Sequence, residues 1–220
     1  MINYNYYINP QGLLYRFAYF MMHDSNNANH CVTRLILYLN GRGEWIEKNF
    51  FDLITNLSLP SDCALLTLDH VGQGASSGMR ADISDYSSYA DNISNILNIF
   101  CNKYGLDLNN LDYVIIAHSM GGLIGLYSVL TSKIPLPKLI ILSSPLLGIP
   151  HKLLSMRVLK YISYICSLFK TGLRVPKIFF DHKHFEINDL TSSKEWYNKI
   201  VFTPFPIGRP TYRWLLHTLK

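Results

Sequence analysis

The stretch Tyr113-Val114-Ile115-Ile116-Ala117-His118-Ser119-Met120-Gly121-Gly122 decides how the rest of the 220-residue chain is read. Four large residues followed by a small one predict a strand buried on both faces. His118-Ser119-Met120 then turns at once into a Gly-Gly pair that opens an apolar helix. A strand, a sharp turn and a helix in this order place one side chain at the apex in a strained conformation. The residues two before and two after the apex must be small for the two backbones to pass, and Ala117 and Gly121 meet that need. Ser119 is the apex, with its hydroxyl at the carboxyl end of a strand and beside the positive end of a helix dipole.

Working outward, apolar runs alternate with helical stripes. Leu13–Phe20 is rich in strand formers and begins the sheet near an edge. Thr33–Leu39 is the first strongly apolar strand and ends in the glycine-bearing loop Asn40-Gly41-Arg42-Gly43-Glu44. Trp45–Leu57 carries a helical stripe, and Ala64–Asp69 is the next buried strand. Ser84 or Asp85 caps a helix that Gly105 stops. Leu123–Leu130 fills the helix after Ser119, and Lys138–Ser143 forms another buried strand. Strands alternating with helices predict an α/β class, a doubly wound and mostly parallel sheet whose site lies at the carboxyl ends of the strands. From Leu147 onward the texture changes. Leu153, Leu154, Val158, Ile162, Ile165, Cys166 and Phe169 recur at helical spacing, and Gly and Pro then punctuate short pieces.

The turn at Ser119 matches the pattern G-x-S-x-G with Ala117 in the first position, and on these residues the chain resembles the α/β-hydrolases. Asn40-Gly41-Arg42-Gly43-Glu44 resembles the His-Gly-x-Gly-Glu loop of their lysophospholipase and monoacylglycerol lipase branch, the serine aminopeptidase S33-like hydrolases, with Asn40 in place of the histidine. Asp69-His70-Val71-Gly72-Gln73-Gly74-Ala75-Ser76 resembles a structural Asp-x-x-Gly-x-Gly-x-Ser segment, which makes Asp69 a brace rather than a titrating group. The resemblance implies Ser119 as nucleophile of an acyl-enzyme mechanism, with the main-chain N–H groups of Arg42 and Met120 as oxyanion donors. It divides the chain into a core over 1–147 and a helical cap over 148–220, and it implies lysophospholipid or monoacylglycerol as substrate.

The triad acid and base stay unassigned, because the resemblance places both on strands that follow the cap, so the sequence resembles only the first part of a family member. An active esterase therefore competes with a catalytically dead remnant that binds lipid or a partner, and with the N-terminal piece of a split enzyme. His118 is read as structural. Asp181, His182, His184, Glu186 and Asp189 form a cluster without a recognised ligand spacing, and His217 is read as a cap residue.

Charge and composition narrow the remaining options. Residues 1–150 hold 8 Lys+Arg against 11 Asp+Glu, while residues 151–220 hold 12 against 4. A basic C-terminal segment mixed with apolar residues suits peripheral contact with an anionic membrane, and no nucleic-acid motif accompanies it. Gly72-x-Gly74 lacks the third glycine and immediate helix of a dinucleotide loop, so no cofactor is expected. Cys31, Cys63, Cys101 and Cys166 lack metal or disulfide spacing and read as buried thiols, so no metal is expected. The N-terminus has no signal-peptide pattern and no apolar run is long enough to span a bilayer, so the expectation is a soluble, cytoplasmic protein. If no strand follows Leu139–Leu142, that strand is left as an apolar edge open to pairing with a second chain.

Overall fold

The computed structural model describes residues 2–22, 32–148, 155–169, 172–176, 184–188 and 191–219. Its apolar runs form one sheet: β1 (Ile2–Ile8), β2 (Leu14–Met21), β3 (Arg34–Leu39), β4 (Cys63–Leu68), β5 (Asp112–His118) and β6 (Leu139–Ser143). The spatial order is β1-β2-β4-β3-β5-β6. β4, β3, β5 and β6 run parallel, while β2 is antiparallel to both β1 and β4. Leu39 stands opposite both Leu68 and Ala117, and His118 stands opposite Ser143. This register brings the loops after β3, β4, β5 and β6 out side by side along one rim.

Alternation along each strand decides what packs where. Leu35, Leu37, Leu39, Leu66 and Leu68 face the cluster that contains α2 (Ser87–Tyr104) and α3 (Met120–Leu130). Tyr38, Cys63 and Leu65 face the opposite way, onto Ile46 and Phe50 of α1 (Ile46–Asn56). Gly105 ends α2 in the left-handed region at φ 61°, as a C-terminal glycine should. Asp85 accepts the Ser87 N–H at 3.0 Å in the first turn of α2.

The C-terminal segment supplies α4 (Met156–Phe169), α5 (Lys194–Val201) and α6 (Tyr212–Thr218). α4 packs on α6. Trp214 and Leu215 of α6, with Leu159 and Val175, belong to the same apolar cluster as α2 and α3. Thr211 starts α6 by accepting the Trp214 N–H at 3.0 Å, and its own N–H donates to Ala81 O at 2.9 Å.

Four expectations are corrected. β1 was not anticipated: its Asn and Tyr residues lack an apolar run, but Ile2 to Ile8 pair with Phe20 to Leu14 as an outer strand, so Leu13–Phe20 lies near the edge as expected but does not begin the sheet. β5 is not buried on both faces. Tyr113, Ile115 and Ala117 are buried against the helices, whereas Val114, Ile116 and His118 are only half covered. On α4, Val158 faces outward and Leu159 and Ser163 are buried instead, while Ile162, Ile165 and Cys166 of the expected stripe are half-buried. β6 is not the buried strand expected: among the described residues it closes the sheet, which leaves Leu139 and Ile141 exposed. Cys63 and Cys101 are buried as free thiols, Cys166 is half-buried, and Cys31 lies outside the described residues.

The two ends of this burial range give a direct comparison. Ile115, fully buried, should lose about 2–5 kcal/mol of stability on substitution by alanine. Ile141→Ala, at a side chain 47% exposed, should stay within about 0.5 kcal/mol in the same urea titration.

Candidate active site

Ser119 sits between β5 and α3 at φ 50°, ψ −116°, a region that costs a non-glycine residue about 1–3 kcal/mol unless its surroundings hold it there. They do so through the main chain. The Ser119 N–H donates to Ser143 O at 3.0 Å, while Ser119 O accepts from Gly122 at 3.0 Å and from Leu146 at 2.9 Å. The glycines explain how the helix comes so close. A Cβ at position 121 would lie 2.3 Å from Leu39 O and 2.7 Å from Asn40 O, and one at 122 would lie 2.8 Å from Pro145 Cβ. Ser119 itself is half-buried at the start of α3. Met120, the next residue, is the first of the helix, where an N–H has no carbonyl one turn back.

The loop after β3 lies against this turn and is held by its neighbours. Asn40 donates through its amide to Leu68 O at 3.1 Å and Thr67 Oγ1 at 3.3 Å, so it ties the loop to β4. The Gly41 N–H is committed to Glu44 Oε2 at 2.6 Å and the Gly43 N–H to Gln73 Oε1 at 2.5 Å. Arg42 lies between these two committed amides. Its side chain leaves the loop altogether, reaching Gly208 O at 2.5 Å and standing over the Trp214 ring at 5.5 Å. Burial, with Arg174 nearby, pushes the Arg42 guanidinium down to about 10.

Behind the loops are two buried carboxylates. Glu44 accepts Lys48 Nζ at 2.6 Å and faces His118 Nδ1 at 3.0 Å. His118 and Lys48, outweighing burial, hold the Glu44 carboxyl down at about 2. His118 is thereby directed onto Glu44 on the α1 side of β5. Asp69 is fully buried and accepts the Ile46 N–H at 2.9 Å, the Ala75 N–H at 2.9 Å and Arg16 Nε at 2.7 Å. Arg16 also forks onto Glu47, with both contacts at 2.8 Å. Burial raises the Asp69 carboxyl, but its ligands make it the post on which α1 and the 69–76 loop hang. Gly74 is required there, since a Cβ would fall 2.1 Å from the Asp69 carboxyl carbon. His70 Nε2 donates to Asn40 O at 3.1 Å, and burial pushes this imidazole down to about 4, so it is neutral near pH 7.

The sequence reading named Ser119, Met120 and the loop residues but missed what props them: the Glu44 carboxylate, Gln73, His70 and the side chain of Arg42. Of these, only the Glu of the G-x-G-E pattern left a signal. Asp181, His182 and Asp189 lie outside the described residues, while His184 and Glu186 are exposed around a short 3-10 turn. His217 is half-buried on α6. Among the described residues no three His, Cys, Asp or Glu side chains are grouped to hold a metal. A groove of about 400 Å³ lies on the α1 side of the strand ends, lined by Glu44, Lys48, His118, Ser143, Trp196 and Ile200 among others.

A family profile described as Serine aminopeptidase, S33 matches residues 31–220. The chain belongs to this family. Its fold is shared by the S33-like hydrolase chain's solved neighbours, at sequence identities that speak for the fold alone. A carboxyl esterase from Bacillus coagulans is 15% identical with a TM-score of 0.70, covering 99% of this chain and 71% of its own. A monoglyceride lipase from Saccharomyces cerevisiae is 17% identical with a TM-score of 0.71, over 100% and 67%. A monoacylglycerol lipase from Paleococcus ferrophilus is 16% identical with a TM-score of 0.65, over 93% and 68%. No curated protein sequence matches significantly. The family and these folds confirm the α/β-hydrolase resemblance and the mostly parallel, doubly wound sheet. Among the described residues no helix is long and apolar enough to cross a membrane.

Glu44 sets a pH dependence. Its folded-state value near 2 lies below the ordinary 4.5, so its contribution is complete above about pH 4.5 and is lost as pH falls towards 2. Glu44→Gln should cost about 3–5 kcal/mol at pH 7, because Lys48 is left buried without its carboxylate, and should flatten the acid limb of stability over that window in urea melts run at several pH values.

Proposed function

We propose that the chain carries the nucleophile and oxyanion site of a serine ester hydrolase whose substrate is a single-chain lipid ester, a lysophospholipid or a monoacylglycerol. The observation that carries this reading is Ser119 held at φ 50° on the tip between β5 and α3, with Gly121 pressed on the loop that contains Arg42. Support for the substrate comes from the named relatives, two of which are monoglyceride or monoacylglycerol lipases.

In this reading Ser119 Oγ attacks the acyl carbonyl and its electron pair forms the new C–O bond. The carbonyl π electrons move onto oxygen, where the N–H groups of Arg42 and Met120 receive them. Losing one such donor typically costs about 2.7–4 kcal/mol of transition-state stabilisation. Collapse expels the alcohol, which takes up a proton, and water then cleaves the acyl-enzyme. The serine proton goes to an imidazole base other than His70, which is held on Asn40 O, and His118, which is turned with Glu44 to the α1 side of β5. We place that base and its carboxylate alongside β6, whose Ser143 carbonyl holds the Ser119 amide and whose outer edge is open among the described residues. Residues 148–220 act as the cap over the acyl chain. Exposed Tyr161, Tyr164 and Leu168 on α4, beside Arg157 and Lys160, favour peripheral contact with an anionic membrane surface.

Treatment of the purified protein with a fluorophosphonate probe tests the nucleophile. Labelling should occur in the parent and fall to background in Ser119→Ala, with the fold retained by circular dichroism. Equal labelling in both proteins, or none in either, would count against Ser119 as an armed serine.

A further inference from the structure

Five arginines meet where the loop after β4 touches the chain leading into α6. Arg174 is central: Nη1 donates to Arg209 O, Nη2 donates to Arg80 O at 3.2 Å, and its backbone bridges to Thr211. Arg209 Nη1 returns to Val175 O at 3.3 Å, and Arg80 Nη1 donates to Gly72 O at 3.2 Å. Arg42 enters the same seam from the oxyanion loop through Gly208 O, next to Arg209. Arg213 is the fifth and forks onto Asp82.

The partners divide these side chains into two kinds. Arg213 and, elsewhere, Arg16 are neutralised by carboxylates. Arg80, Arg174 and Arg209 meet main-chain carbonyls among the described residues. A carbonyl orients a guanidinium but leaves its unit charge in place, and like charges gathered at one seam repel each other. The depression of Arg42 by burial and by Arg174 is a trace of that repulsion. Each guanidinium has five N–H donors in a rigid fork, more than the one or two carbonyls it meets here can use. All three are half-buried, so a solute can reach them. Fixed guanidinium forks that meet no carboxylate among the described residues match the several oxygens and the double charge of a phosphate group better than any neutral hydroxyl.

We propose that Arg80, Arg174 and Arg209, with Arg42 at their inner end, form a phosphate-recognition subsite, so that the ester attacked by Ser119 bears a phosphate group on its alcohol side. This selects the phosphorylated member of the substrate class proposed above and rests on that reading for its lipid portion. Arg42 is the physical link, because its main chain belongs to the loop beside Ser119 and its side chain belongs to the seam. A plain structural clamp, stitching the C-terminal segment to the 72–82 loop, would use the same carbonyl contacts without needing an anion.

Binding separates the two, measured by calorimetry on Ser119→Ala protein so that nothing is turned over. The probes are lysophosphatidic acid below its micelle concentration, a monoacylglycerol of the same chain, and inorganic phosphate. The subsite predicts at least tenfold tighter binding of lysophosphatidic acid than of the monoacylglycerol. Arg174→Gln and Arg80→Gln should each remove most of that preference, while Arg174→Lys should keep part of it. Arg80→Gln loses a single contact to Gly72 O and remains a fair test if Arg174→Gln does not fold. A ratio near one, with no rise in melting temperature in millimolar phosphate, would overturn the proposal in favour of the clamp. A phosphate-dependent rise that Arg80→Gln abolishes, with neither amphiphile bound, would uphold the anion site and make free phosphate its ligand, and the lipid-ester reading would be what failed.

Discussion

The contact on which the structure turns is the approach of the first turn of α3 to the end of β3. The main chain at Gly121 comes so near Leu39 O and Asn40 O that even a methyl group would collide with both. That approach forces Ser119 into a conformation that L-residues avoid, and the bonds from Ser143, Gly122 and Leu146 hold it there. Strain at one residue is thus stored against packing in two strands and a helix. The same approach brings the loop after β3 alongside Ser119, so the proposed nucleophile and its proposed amide donors are fixed by one close contact.

Loops that rest on so few main-chain contacts need support from behind, and buried charge supplies it. Asp69 ties the start of α1 to the 69–76 loop and is balanced by Arg16. Glu44 ties Gly41 to Lys48 and His118. Buried ion pairs contribute little net stability compared with apolar packing, yet removing one partner leaves the other uncompensated at a cost of about 3–5 kcal/mol. Their value here is positional. They make the loop geometry all-or-none, which is what a site relying on oriented amides requires.

Much of this was legible in the residues. The apex serine, the small residues flanking it, the glycine loop and the parallel strands all announce themselves locally, because each is imposed by short-range sterics or by an apolar run. What stayed hidden depends on partners distant in the chain. β1 has alternating Asn and Tyr residues and becomes a strand only because β2 offers an edge. The half-covered face of β5 reflects which elements lie opposite it, not its own composition. Arg42 was singled out in the sequence for its main-chain N–H alone, and its side chain acquires meaning only when Gly208 and Trp214 come within reach. The outward turn of Val158 on α4 follows from where α6 sits, which no helical stripe records.

A crystal structure of the protein with an alkylboronic acid bound would test the central claim most directly. The account predicts a bond from Ser119 Oγ to boron, with one boronate oxygen within about 2.7–3.1 Å of both the Arg42 and the Met120 nitrogen. A boronate bound elsewhere, or bound at Ser119 with its oxygens facing away from those two amides, would contradict it.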